Sequence, residues 1–236
     1  MILRGARRKR KTKASEVRTV SASVPLRESL WSRWGETFRP FELSTAAIAP
    51  AFARLVAAYS EPGRFYHTLQ HISEVLEVVD QFRGAAQLVA VELAGWFHDV
   101  VYNPRASDNE ERSAAWAGET LRQLSLPEEA VRRTEQLILL TKTHRTPNDD
   151  TPAAILLDAD LAILGSPVQR YSEYAKAIRR EYAWVPQSDY RAGRMCVLEA
   201  FLGRHRIFLT ERLFAAYEAQ ARDNLRAEIE SLIHQS

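Results

Sequence analysis

The chain has 236 residues, 46% of them hydrophobic and 26% charged, which is enough apolar material to bury a core. No apolar run approaches the roughly eighteen residues that a membrane span needs, and the single cysteine, Cys196, excludes an internal disulfide. A protein of the reducing cytoplasm, without membrane association, is the expectation.

The net charge of +2 misrepresents the body of the chain. Seven of the 32 basic residues lie in the first thirteen positions, which leaves 25 against 30 acidic residues, a net of −5. Residues 1–24 therefore read as a disordered basic tail, and residues 25–236 as one domain that has no basic surface for nucleic acid. The tail itself is first a solvated extension, with a nucleic-acid or anionic-surface arm as the alternative.

Beyond the tail, apolar residues recur at three- and four-residue spacing between proline-marked breaks, and strand-like alternation is absent, so the predicted fold is all-α, a helical bundle. Helices are predicted over 26–38 and 45–59, followed by a turn at Glu61-Pro62-Gly63, and then over 66–82. Residues 86–97 are apolar nearly all round and predict a central buried helix. Ser107 or Asp108 can cap the next helix, ending near Leu124, with Glu110 and Glu111 near the positive end of its dipole. Pro127, Pro152 and Pro167 open helices over 127–143, 152–164 and 167–183, and Gly165 closes the second of them. Two further helices are predicted over 188–204 and 210–233.

Four of the six histidines lie between positions 67 and 144, together with most of the candidate acids. On a continuous helix His67 and His71 would share a face, one turn apart, at the edge of an apolar stripe. Taken alone they could be ordinary boundary histidines. His98-Asp99 is a weak motif by itself, but it directly follows the most hydrophobic helix, where an ionisable pair needs a partner. A divalent cation is such a partner, because neutral imidazole and carboxylate are both good ligands. Asp158 and Asp160 sit inside the apolar run Leu156-Leu157-Asp158-Ala159-Asp160-Leu161, and residues two apart cannot share a helix face. Asp160 is the expected ligand, with Asp158 supporting it or a neighbouring helix.

The order His71, His98-Asp99, Asp160 resembles the H…HD…D signature of the HD superfamily of metal-dependent phosphohydrolases. Tyr66-His67-Thr68-Leu69-Gln70-His71 is similar to the Tyr-His-Asn-x-x-His segment of cyclic-nucleotide phosphodiesterases, and Asp158-Ala159-Asp160-Leu161 to a segment of bacterial HD proteins that include guanosine tetraphosphate hydrolases. Over about residues 28–230 the chain looks most like a bacterial branch of predicted HD-superfamily hydrolases, through Trp96-Phe97-His98-Asp99-Val100-Val101-Tyr102 and Asp108-Asn109-Glu110-Glu111-Arg112-Ser113. Thr68 stands where the phosphodiesterases have asparagine, and no His-Pro-Gly run follows, which argues against a cyclic nucleotide.

The resemblance implies hydrolysis of a phosphoester, of a nucleotide or other small phosphorylated metabolite, by a metal-activated water. It implies His71, His98, Asp99 and Asp160 as ligands of Mn, Fe, Co, Ni, Zn or Mg, and His67 as general acid. Glu110 or Glu111 could orient the water, and Arg64, Lys142, His144 and Arg145 could bind phosphate. A second, weaker ion would have to lean on His144 and a bridging Asp99. The alternative is a non-catalytic HD regulatory module that binds metal and nucleotide.

Overall fold

The computed structural model describes residues 24–146 and 149–234, which form ten α-helices and no strand. In chain order these are α1 (Val24–Phe38), α2 (Thr45–Ala58), α3 (Leu69–Val79), α4 (Leu88–Phe97), α5 (Asn109–Gln123), α6 (Glu128–Thr141), α7 (Thr151–Leu161), α8 (Val168–Glu181), α9 (Gln187–Leu202) and α10 (Glu211–His234). The all-α expectation is met. The predicted tail lies outside the described residues except for Val24, which begins α1. No single helix among the described residues is long and apolar enough to cross a membrane.

Local chemistry sets most helix boundaries. Ser44 caps α2, and Asp150 caps α7 by accepting from Ala153 N at 3.1 Å, with Pro152 in the first turn. Asp108 occupies the N-cap position of α5 but makes no side-chain cap bond, so that part of the capping expectation fails. Pro127 and Pro167 stand one position outside α6 and α8, at the N-cap. Gly165 ends a 3₁₀ turn, Ala162–Gly165, that continues α7. Its φ is not left-handed; a Cβ there would lie 2.5 Å from the Cβ of Tyr217 on α10, so close helix packing requires the glycine.

The helix α4 is the centre of the bundle. It packs against α1, α3, α5, α6 and α7, and Trp96 and Phe97 at its end are fully buried. Trp34 of α1 meets Trp96 edge-on at 5.2 Å, and the Trp96 indole N–H donates to Thr37 Oγ1 at 3.1 Å. One apolar cluster runs from Leu30 in α1 to Leu232 in α10. Because α3, α4 and α7 pack directly on one another, the polar residues at their adjoining ends are brought together inside this apolar frame.

Candidate metal centre

His71 projects from the first turn of α3, His98 caps the C-terminus of α4, Asp99 follows it, and Asp160 lies in the last turn of α7. One ligand atom from each of these four residues lies within 4.8 Å of all the others, so the group could hold a metal ion. All four residues expected as ligands therefore meet. His71 Nε2 lies 3.1 Å from His98 Nε2, 3.5 Å from Asp99 Oδ2 and 3.3 Å from Asp160 Oδ1. His98 Nε2 lies 3.2 Å from Asp99 Oδ2 and 3.6 Å from Asp160 Oδ1.

These separations suit a common ion. Ligands about 2.1 Å from one cation stand roughly 3.0 Å apart at octahedral and 3.4 Å apart at tetrahedral edges. His98 is also oriented for ligation: Nδ1–H donates to Gly95 O at 3.0 Å, which turns Nε2 toward the cluster, where a bound cation would replace its proton. His71 and His98 are each 1% exposed, whereas Asp99 and Asp160 also face a cleft.

Without a cation the cluster balances its own charge. Burial works to raise the Asp99 and Asp160 carboxyls, but the His98 imidazole and hydrogen bonds from the neighbouring histidines outweigh it and hold both well below the usual range. Burial would lower His71 and His98, and the same two carboxylates reverse that and raise them. A divalent ion bound here takes the place of protons shared in this group.

His67 does not occupy the helical position read from its spacing. Thr68 caps α3, its Oγ1 accepting from Gln70 N at 3.3 Å, so the helix starts after His67. The preceding loop is gathered by Glu181, at the end of α8, a residue that sequence reasoning missed. Glu181 Oε1 accepts from the backbone N–H of Phe65, Tyr66 and His67 at 2.7, 2.7 and 3.1 Å. Its Oε2 accepts from His67 Nδ1 at 2.7 Å and from the Tyr102 hydroxyl at 2.8 Å. The Tyr102 ring stacks on His67 with 4.1 Å between centroids. His67 Nε2 is thereby turned toward the cluster, 3.9 Å from Asp99 Oδ2. Burial opposes the charge of Glu181, but His67 and the backbone donors prevail and bring its carboxyl down to about 2. A sequence signal existed: Glu181 continues the buried stripe Tyr171, Tyr174 and Ile178 of α8, and a carboxylate at a helix C-terminus is disfavoured by the dipole.

A cleft of about 450 Å³ opens over the cluster, with His67, Asp99, Glu110, Lys142, His144 and Asp160 on its walls. Glu111 does not line it; its carboxylate is bound by Lys142 Nζ, which also donates to Ser107 O at 2.7 Å. His144, in the left-handed region at φ 48°, turns its ring to Asp160, with Nε2 2.9 Å from Oδ2. A non-glycine residue in that region carries a backbone cost of about 1 kcal/mol, so the turn aiming His144 at a ligand carboxylate is one the local chain does not favour.

Two expected phosphate ligands are elsewhere. Arg64 is buried with its guanidinium donating to backbone oxygens, those of Asp99 and Val100 at 2.7 and 2.8 Å and that of His67 at 3.2 Å. It clamps the His67 loop to the segment after α4 and does not line the cleft. Arg145 is exposed and also off the cleft. Asp158 is fully buried away from the cluster, accepting from Leu209 N, Thr210 N and Thr210 Oγ1, each at 2.7 Å, and so supports the start of α10.

A second, smaller cavity of about 290 Å³ also reaches His71 and Asp160. Among its lining groups the Tyr66 hydroxyl and Ser166 Oγ are buried without a hydrogen-bond partner among the described residues. No family model, curated protein or solved structure matches the chain.

Proposed function

We propose that this chain is a metal-dependent phosphohydrolase of the HD type, acting on a small phosphorylated molecule. The observation that carries the reading is the convergence of His71, His98, Asp99 and Asp160, from three helical segments, at ligand spacing, with Asp99 and Asp160 lining an open cleft. Their chain order is the one on which the resemblance to HD phosphohydrolases rests. The mixed imidazole and carboxylate set suits Mn, Fe, Co, Ni, Zn or, with more water ligands, Mg.

A divalent ion bound there supplies Lewis acidity toward water and toward a phosphoryl oxygen. The residues of the chain do the rest. His67, with Nδ1 held by Glu181 and its ring stacked on Tyr102, offers Nε2 to the leaving oxygen as general acid. Glu110 faces the cleft and orients the attacking water, a role that its neighbour Glu111 cannot share while bound to Lys142. Lys142 and His144, which also line the cleft, receive the phosphate.

The test is elemental analysis of the purified protein, followed by assay of a phosphoester and nucleotide panel with several added metals. Stoichiometric metal with turnover supports the reading. Metal and nucleotide binding without turnover under any metal would establish the regulatory-module alternative instead.

A further inference from the structure

Resting on the phosphohydrolase reading, we propose that the cleft selects a singly phosphorylated molecule bearing an aromatic or apolar group and rejects di- and triphosphates. The first argument is the charge in the cleft. The charged or titratable residues on its walls, the tyrosines aside, are His67, Asp99, Glu110, Lys142, His144 and Asp160, with no arginine among them. Asp99 and Asp160 together cancel a divalent ion. Lys142 is shared with Glu111, and His144 is tied to Asp160. These groups, with the ion and His67, are enough to meet one phosphate. A second would find Glu110 and, among the described residues that line the cleft, no further cation, and an uncompensated charge taken out of water is strongly disfavoured. Arg64 and Arg145 lie off the cleft, as do Arg105, over the Trp184 ring, and Arg204, whose guanidinium donates to the backbone oxygens of Thr143 and His144.

The second argument is the apolar part of the lining. Leu161, Ile163, Tyr174, Ile178, Tyr182 and Phe201 form it, from the end of α7, from α8 and the turn after it, and from α9. The cleft volume of about 450 Å³ lies within the range of small-molecule sites and leaves room beyond the phosphate for an organic group against these side chains. In the step itself water adds to phosphorus, the ester P–O bond breaks, and the leaving oxygen takes up a proton. The products are an alcohol and inorganic phosphate.

The full-length protein, loaded with Mn²⁺, is assayed on phenyl phosphate, glycerol 2-phosphate, adenosine 5′-monophosphate and adenosine 5′-triphosphate. Expected is a kcat/KM on the order of 10²-fold higher for the monophosphate than for the triphosphate, and about tenfold higher for phenyl than for glycerol phosphate. Phe201→Ala should raise KM for phenyl phosphate by a larger factor than for glycerol 2-phosphate. The surface variant Ser107→Lys, which adds a rim cation, should narrow the gap between adenosine mono- and triphosphate. Equal or preferred hydrolysis of the triphosphate overturns this inference alone, as does equal use of phenyl and glycerol phosphates. Hydrolysis of none of the four overturns the phosphohydrolase reading together with it.

Discussion

Glu181 receives the Nδ1–H of His67 at 2.7 Å across 114 residues of sequence, and the same carboxylate gathers three consecutive backbone N–H groups of the loop that carries that histidine. One buried side chain, 4% exposed, thus fixes both the ring and the backbone of the proposed general acid.

This linkage makes Glu181→Gln a positioning variant. It should lower kcat by about 10- to 100-fold, with KM and metal stoichiometry little changed, because the amide cannot accept all five hydrogen bonds while neutral. His67→Ala should cost on the order of 10² to 10⁴ in turnover and keep its metal. In the double variant the two losses should fall well short of adding, since both act through one imidazole. Full additivity would show that Glu181 acts independently of His67.

The same residue predicts acid sensitivity. Its carboxyl is brought down to about 2 in the folded chain against an ordinary 4.5, a depression worth on the order of 3 kcal/mol. A depressed folded value stabilises the fold above the unfolded pKa, and that contribution is lost as pH falls toward 2. Chemical denaturation of the wild type between pH 6 and 3, set against Glu181→Gln, should show the difference in stability shrinking below about pH 4.5. A difference independent of pH across that window would remove the charge from the explanation.

Metal should stabilise the native state, because its four ligands come from segments that are separate in the unfolded chain. At a hundredfold excess over Kd the gain is about 2.7 kcal/mol, seen as a rise in Tm that a chelator reverses. His98→Ala, Asp99→Ala and Asp160→Ala should each lose stoichiometric metal and this rise while keeping helical circular dichroism, since apolar packing supplies most of the folding energy. Asp99→Ala with full metal and an unchanged Tm response would refute the site.

Asp158→Ala should separate stability from chemistry. The carboxylate takes three 2.7 Å hydrogen bonds at the start of α10 and touches none of the four ligands, so its loss should cost about 2–4 kcal/mol. The variant should retain metal and kcat at temperatures where it stays folded. Loss of metal from the folded variant would move Asp158 into the centre.

What could be read along the chain was whatever depends on near neighbours. Apolar spacing and prolines gave ten helices close to their observed bounds, and an ionisable pair at the end of the most apolar stretch marked His98 and Asp99 for a partner. The rule that residues two apart on a helix face different ways meant that only one of Asp158 and Asp160 could reach the centre, and the resemblance to HD proteins favoured Asp160. The helical placement of His67 failed because spacing alone cannot register a cap: Thr68 begins α3, and the donors just before it go to Glu181. Arg64 resembled a phosphate ligand by type, yet its guanidinium is spent on carbonyls up to 36 residues away. Local sequence therefore determined which segments are helical and which side chains are able to ligate or donate. Only the tertiary packing decided where each of them points, because a buried polar group takes the partner that the assembled helices bring within hydrogen-bond reach, whatever its distance along the chain.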